Sequence, residues 1–451
     1  MTRVTDVVIL GGGFAGLSAG ALLAERGAKV TVLDARPQLG GRATAFVDRE
    51  TGELVDNGQH VLFGCYRETL AFLQRIGATG NIRVQESMTV PYVDVTGRRS
   101  VLRCPALPSP LHLLAAVLNW DALPWRDRLS ALRLAGPLRR ARQELERTGA
   151  VTADPAGTVA DWLKAHGQRD KLREWLWEPL AVAALNQPSE SASATPFVRV
   201  LAEMFGPDPA AAALILPTRP LHQMYAEPAR DFITARGGDV RVNALARIVV
   251  EDGRVRGVEV RGERIAASAI ISAVPWFAMR SLFAHAPPPS MEAVLSAAAA
   301  MESMPIVTVN LWYDRQVMDE VFVGLPGRAM QWAFDKRLAF GGTASHLSLV
   351  SSGATALAGM TRDQLTALAA HEIEASLPGA RGARVTRATV IREKQATFSL
   401  APGQPARPST RTPVGGLFLA GDWIDTGLPG TIESAAVSGH RAAEEMLKYE
   451  G

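Results

Sequence analysis

The sequence predicts an α/β fold: a Rossmann-like, two-dinucleotide-binding domain assembled from both ends of the chain, with a mixed α+β substrate domain between them. Three observations predict it. A buried strand, a Gly-rich turn and a small-residue helix open the chain between Asp6 and Gly27. A β-meander pattern returns near residue 240, and a second strand, Gly-Asp turn and helix close the chain after Gly416.

Taken in order, Asp6 to Leu10 (DVVIL) is a short unbroken apolar run, the pattern of a parallel strand buried on both faces. Phe14 to Arg26 (FAGLSAGALLAER) has the composition of a helix pressed closely on a sheet. Gly27 suits its C-terminal cap, and Lys29 to Leu33 (KVTVL) reads as the next strand. Together they make one βαβ unit of about 30 residues. From about Glu68 to Met224 the pattern is mainly helical and interrupted by prolines, among them Pro105, Pro124, Pro155 and Pro188. A helix over Pro228 to Arg236 leads into DVRVNALARIVVEDGRVRGVEV, whose alternation predicts a β-meander with turns at Asp252-Gly253 and Arg261-Gly262. A buried strand follows at Ala269 to Pro275, and further strands are expected at Ile306 to Tyr313 and Ala388 to Arg392. Gly416 to Gly421 (GLFLAG) and a helix over Thr431 to Leu447 end the chain. The expected division is a discontinuous dinucleotide domain (1–75, 228–275 and 410–451) and a substrate domain (76–227 and 276–409), with a helical, membrane-facing part at 105–145.

At 451 residues and 47% hydrophobic content, the chain supports two or three domains around a large core, which excludes disorder of the whole chain. Lys and Arg total 48 against 45 Asp and Glu, so no nucleic-acid-binding surface is expected. The positive charge is local: seven Arg between Arg126 and Arg147 face only Asp127, Glu144 and Glu146. Cys65 and Cys104 lie far apart with no Cys or His at ligand spacing, so neither a disulfide framework nor a metal site is expected. MTRVTDVVILGGG passes directly into a strand, and the expectation is no signal peptide. No run reaches the roughly 20 apolar residues of a membrane-spanning helix. The expected location is cytoplasmic, with membrane contact made from the inner surface of the cytoplasmic membrane.

Gly11-Gly12-Gly13-Phe14-Ala15-Gly16 fits the spacing G-x-G-x-x-G. Gly11 permits a tight turn, Gly13 lets the backbone approach a pyrophosphate, and Gly16 lets helix and strand pack closely. The helix start at Phe14 and Ala15 offers unbonded N–H groups to phosphates. Asp34, followed by Ala35 and Arg36, ends the second strand. A carboxylate there accepts hydrogen bonds from a ribose and repels a 2′-phosphate. Three more pieces extend the site. Gly40-Gly41-Arg42 brings a guanidinium within reach of the pyrophosphate, and Asn57-Gly58-Gln59-His60 comes next. Near the C-terminus, Gly421-Asp422 precedes Thr431-Ile432 at a helix start, which aims N–H groups at the flavin edge where negative charge gathers. Four pieces describe one extended cofactor, FAD.

The N-terminal GGGFAGL, DARPQLGGR and DNGQH with the C-terminal LAGDW and GTIESAAVSG resemble the superfamily of flavin amine oxidases, protoporphyrinogen oxidases and phytoene desaturases, over nearly the whole chain. The resemblance implies that Asp34 binds the adenosine ribose. It implies also that Gly40, Gly41, Arg42, Gly421 and Asp422 hold the pyrophosphate and ribityl region, and that Ile432 caps the isoalloxazine. The family usually has Glu at the position of Asp34, which implies a longer or water-bridged contact. Ala246 stands where a Val beside adenine is common, on a strand expected to begin at Val240. Within the superfamily, DNGQHVLFGCYRETLAFLQRIG, WLWEPLAVAALNQPSESASA and VNLWYD resemble the squalene-associated FAD-dependent desaturases, the hydroxysqualene dehydroxylases of bacterial squalene and hopanoid synthesis. That resemblance implies reductive removal of the hydroxyl of hydroxysqualene, a C30 isoprenoid substrate, and contact with other squalene-pathway enzymes. The paired aromatic cage of amine oxidases has no match here. A carotenoid or phytoene-type desaturase, running in the opposite redox direction, stays open at this stage, as does a non-catalytic isoprenoid carrier.

Reductive loss of a hydroxyl needs a proton for the leaving oxygen. His60 is the first candidate donor, and Glu178 in WEPL and Glu433 are the others; a structural histidine and a helix cap are the plain alternatives. Trp120, Trp125, Trp162, Trp175, Trp177 and Trp312, with many Leu, are expected to make a large apolar pocket. Leu111 to Arg142 joins clustered Leu and two Trp to the Arg excess, a composition suited equally to an interfacial helix on an anionic membrane and to a packed lid.

Overall fold

Val7–Leu10 and Val30–Leu33 are buried at every residue, which requires cover on both faces of their sheet. The computed structural model describes residues 7–153 and 157–449, so Asp6, Pro155 and the two ends of the predicted domain division lie outside the described residues. The sheet has five parallel strands in the order Asp239–Arg241, Val30–Leu33, Val7–Leu10, Ile270–Ser272 and Leu417–Leu419. Alternate residues serve two different cores. Val7, Ile9, Val30, Val32 and Ile271 face the helices Phe14–Glu25, Glu227–Thr234 and Ile432–Leu447, whereas Val8, Leu10, Leu33 and Ile270 face an antiparallel meander. The first and last helices touch at Gly439, where an added Cβ would lie 2.2 Å from the Ala15 carbonyl oxygen.

The meander consists of Ala246–Glu251, Arg254–Val260 and Glu263–Ala266. Its turns fall at Asp252-Gly253 and Arg261-Gly262, all four residues having positive φ, as tight two-residue hairpins require. One expectation is corrected. Val240 and Ala246 do not share a strand: Asp239–Arg241 joins the parallel sheet, the chain turns at Asn243, and the meander begins at Ala246. Alternation alone could not show that the apolar run changes sheets.

A second, seven-stranded sheet has the order Val385–Phe398, Ser303–Tyr313, Ser345–Ser352, Trp332–Asp335, Phe322–Gly324, Thr89–Val93 and Arg99–Arg103. The strands expected at Ile306 to Tyr313 and Ala388 to Arg392 are present and longer. The expectation of a mainly helical stretch from 68 to 224 needs correction, because the hairpin Thr89–Val93/Arg99–Arg103 and the small sheet of Leu62–Phe63, Leu214–Pro217 and Ile82–Val84 interrupt it. Pro91 is tolerated in this hairpin because its strand meets its second neighbour by a single pairing, Tyr92 with Gly324. One face of this sheet (Val307, Val309, Leu311, Leu347, Leu349) packs on the helix Arg362–Ser376. The other face (Ile306, Trp332, Phe334, Val350, Ser352) looks toward the site.

The hairpin Ala45–Val47/Leu54–Asp56 clasps this second sheet through four carboxylates. Asp48 and Glu50 bind Arg387, Glu53 accepts from Trp312 Nε1, and Asp56 pairs with Lys336. Burial opposes ionisation of Asp48, yet hydrogen bonds from Thr389, Arg387 and two backbone amides hold its carboxyl well below the usual range.

Candidate active site: a dinucleotide cleft joined to an apolar chamber

At the carboxyl ends of the parallel strands runs a cleft of about 470 Å³. Asp34, Ala35, Arg36 and Ala244 to Ala246 line one end, and the backbone amide of Ala244 donates to the carbonyl of Asp34. Gly11, Gly13, Phe14, Ala15, Gly40, Gly41, Arg42, Gly421 and Asp422 line its middle, and Gly58, Gln59, His60, Thr431 and Ile432 the other end. Gly13 and Gly41 close on each other there: a Cβ on Gly41 would lie 3.3 Å from the Gly13 Cα. Gly16 lies behind the cleft, where its missing Cβ would stand 1.9 Å from the Gly11 carbonyl oxygen. This is the helix-packing role read from the spacing.

Asp34 is buried and holds the glycine loop together. Its Oδ2 accepts from the Gly12 amide at 2.6 Å and its Oδ1 from the Arg36 amide at 2.7 Å. Each oxygen keeps a second lone pair for a ribose hydroxyl. Arg42 differs from expectation. Its guanidinium donates to Asp422 Oδ1 at 2.5 Å and to the Ala396 carbonyl at 2.6 Å, so it ties the Gly-Gly-Arg turn to the Gly-Asp turn from the far end of the chain while still lining the cleft. Asn57 is corrected from a cofactor contact to a brace: it is not among the lining residues, and its Nδ2 donates to the Arg42 carbonyl and to Glu393. Thr431 caps the last helix by accepting from the Ser434 amide, and with its own amide donated to the Pro429 carbonyl it leaves the first-turn amide of Ile432 on the cleft.

Two contacts escaped the sequence reading. Phe14 stacks on Tyr225 with ring centroids 3.6 Å apart, and the Tyr225 hydroxyl donates to the Gly40 carbonyl at 2.8 Å. Asn186, in the left-handed conformation, lines the cleft while joining Thr397 to the Gly353 amide. No local motif announces Tyr225; the Asn of LNQP was its own weak signal for Asn186. The glycine cradle, a carboxylate at the ribose end and helix amides at the far end fit FAD, which supplies hydride chemistry when bound.

The three candidate donors separate. His60 lines the cleft, with Nδ1 directed at the Gly58 carbonyl at 3.3 Å. Burial lowers its pKa; Arg42 and Lys336 add to this, and Asp56 opposes it. The neutral ring therefore presents the Nε2 lone pair, which suits binding better than proton donation. Glu178 is corrected: it stands between Trp177 and Pro179 but is not among the lining residues of either cavity, and its carboxylate accepts from the Ser189 amide at 3.3 Å. Glu433 accepts from the Glu68 and Thr69 amides, both at 2.9 Å, and so caps the helix Arg67–Arg75 instead of its own. Burial raises the pKa of both glutamates.

Beyond the cleft lies an apolar chamber of about 590 Å³, walled by the helices Leu111–Asn119 and Ala135–Thr148, by residues 176–183, and by the open face of the second sheet. Of the six tryptophans expected to build it, Trp177 lines it, among the described residues, and Trp332 is one that the reading missed. Trp120 and Trp175 pack on Tyr92, Trp162 on His166 and Trp312 on His346, while Trp125 is 63% exposed. Chamber and cleft share Gln59, Val61, Tyr66, Ala183, Val350 and Ser352. Among the described residues there is no cluster of His, Cys, Asp or Glu able to hold a metal.

Fold and site together define an FAD-dependent oxidoreductase whose cofactor cleft adjoins an apolar chamber. The chain matches the flavin containing amine oxidoreductase family over residues 14–447 and belongs to it. It is 28% identical to a hydroxysqualene dehydroxylase of Rhodopseudomonas palustris, with 98% of each chain covered. It is 26% identical to a probable zeta-carotene desaturase of Synechococcus elongatus, again with 98% of each covered. Its fold is similar to the crystal structure of an oxidoreductase from Methanosarcina mazei, with a TM-score of 0.75 at 17% identity over 97% of this chain and 100% of that one.

Proposed function

We propose that this protein removes the hydroxyl of hydroxysqualene reductively, giving squalene and water. The observation that carries the reading is the junction of chamber and cleft, where three of the six shared residues, Gln59, Tyr66 and Ser352, have polar side chains and none is a carboxylate. A long hydrocarbon with one oxygen matches such a junction; a cationic amine does not. The reaction exchanges a C–O bond for a C–H bond, so it consumes a hydride and a proton, and the oxygen leaves as water. The apolar walls keep bulk water from the reacting carbon. Relatives of both reaction types support an isoprenoid chain, and the direction is a matter for assay. With reduced flavin and hydroxysqualene, squalene is the expected product. Desaturated product from phytoene and oxidised flavin, with no squalene formed, overturns the reading in favour of a desaturase.

The proposed location is the inner face of the cytoplasmic membrane, from which a C30 chain would enter. Leu107, Leu111, Trp125, Leu129 and Leu132 are exposed apolar side chains of the 105–145 segment, and Arg126, Arg133, Arg139 and Arg140 are exposed beside them. Leu132 and Arg139 also line the chamber, so its mouth reaches this surface. Among the described residues no helix is long and apolar enough to cross a membrane. Exposed apolar groups interleaved with arginine suit a surface of anionic lipid. The protein is expected to sediment with vesicles containing acidic lipid. The triple replacement Leu111→Ser, Trp125→Ser and Leu129→Ser is expected to lower the bound fraction about tenfold, each side chain contributing a part of its full burial energy. A wild-type protein left in the supernatant by such vesicles removes the membrane assignment.

A further inference from the structure

We infer that Gln59 reads the oxygen of the substrate, and that the buried pair Asp56–Lys336 holds its amide in the orientation that does so; this rests on the proposed isoprenoid-alcohol reading. Gln59 belongs to both cavity walls, where the apolar chamber meets the cofactor cleft. The orientation of a glutamine amide is usually a matter of assignment, but here the partners decide it. Lys336 Nζ can only donate, so the atom 3.1 Å from it is Oε1, and the Asp56 carboxylate accepts from Nε2 at 3.2 Å. Lys336 and Asp56 are 5% and 2% exposed and bond to each other at 2.5 Å, and the second Asp56 oxygen accepts from the Leu221 amide at 3.0 Å. Gln59 is therefore held between Asp56, three residues earlier, and Lys336, 277 positions away.

A buried ion pair is weak evidence for stability, because desolvation offsets most of its attraction. Its use here is placement. With one N–H and one lone pair of the amide engaged, a second N–H and a second lone pair remain for a hydroxyl. Of the other polar side chains at the junction, Tyr66 lies beside Thr431, and the Ser352 hydroxyl can rotate to suit a partner. A site with a fixed amide favours an alcohol over the matching hydrocarbon, since the hydrocarbon leaves the amide unpaired in an apolar wall. Gln59 is thus a specificity residue, and Asp56 and Lys336 are positioning residues.

The test is a titration of the flavin-loaded protein with hydroxysqualene and with squalene, followed by the perturbation of the flavin absorption. The wild type is expected to bind the alcohol about tenfold more tightly, the size of one such hydrogen bond. Gln59→Leu is expected to abolish that preference by weakening alcohol binding, with squalene binding retained. The double variant Asp56→Asn/Lys336→Met, which buries no charge, is expected to lose the preference too while keeping squalene affinity. Equal affinities in the wild type, or an unchanged preference in Gln59→Leu, overturn the role of Gln59; an unchanged preference in the double variant overturns the clamp. A wild type that prefers the alcohol yet forms no squalene instead overturns the proposed reaction and leaves Gln59 as its binding residue.

Discussion

Gly16→Val is expected to yield a protein without flavin. The Cβ position at Gly16 lies 1.9 Å from the Gly11 carbonyl oxygen, so the two backbones cannot keep their separation. Gly11 cannot retreat. Its own Cβ position lies 2.8 Å from the Ala273 carbonyl oxygen, and its φ of 107° is one that a side-chain-bearing residue rarely adopts. The strain must move the first helix, whose far side rests on the last helix at Ala15 and Gly439. Moving it separates the Gly13 and Gly41 walls of the cleft. Overpacking of this kind costs about 1–3 kcal/mol or more, and here the whole cost falls on the binding geometry. Flavin affinity should drop at least about fivefold, the equivalent of the low end of that cost, and the ratio of flavin to protein absorbance should fall with it. Gly80→Ala, where the new Cβ meets nothing within 4 Å, should keep its full complement. Full flavin content in Gly16→Val is the result that refutes this account of the loop.

The second large effect is expected at Lys336. Lys336→Met keeps the methylene stem and removes the charge, leaving the Asp56 carboxylate buried with, among the described residues, the Leu221 amide and Gln59 as hydrogen-bond partners. Stranding one partner of a buried pair costs about 3–5 kcal/mol. Thermal melting should shift down by about 3–5 °C, with flavin still bound to the folded fraction. Burial pulls the Lys336 pKa down and Asp56 restores part of it, so the pair draws its stability from mutual compensation. The Asp56→Asn/Lys336→Met variant should therefore recover much of the loss, because no charge remains buried. A single variant melting within about 2 °C of wild type would mean that water reaches Asp56, and that the ion pair is not a closed clamp.

Much of the cofactor site was legible in the chain. Gly11, Gly13, Phe14 and Ala15 line the cleft and Gly16 packs behind it, as the spacing requires; Asp34, Gly40, Gly421, Asp422, Thr431 and Ile432 lie on the cleft as well. The meander turns at Asp252-Gly253 and Arg261-Gly262 were equally plain, since the second position of each has the positive φ that glycine favours. Reading failed where a side chain's partner is distant. Arg42 looked available to a phosphate and is bonded to Asp422, Asn57 looked like a ligand and braces Arg42, and Glu433 caps a helix that begins at Arg67. The chamber shows the same limit: tryptophan content indicated apolar walls, but which rings face inward depends on how helices and sheet pack.

By itself the sequence determined the α/β class, the parallel strands, the glycine loop and FAD as cofactor. Each follows from short-range rules: two-sided burial of contiguous apolar residues, the backbone freedom of glycine, and unbonded amides at helix starts. Only the tertiary structure decided that Asp56, Gln59 and Lys336 converge, that Tyr225 supports Phe14, and that the chamber meets the cleft at Gln59. Lys336 and Tyr225 come from segments hundreds of positions away from Asp56, Gln59 and Phe14. The hydrogen bonds and packing between them depend on how whole sheets and helices dock, which leaves no periodicity or spacing in the chain to read.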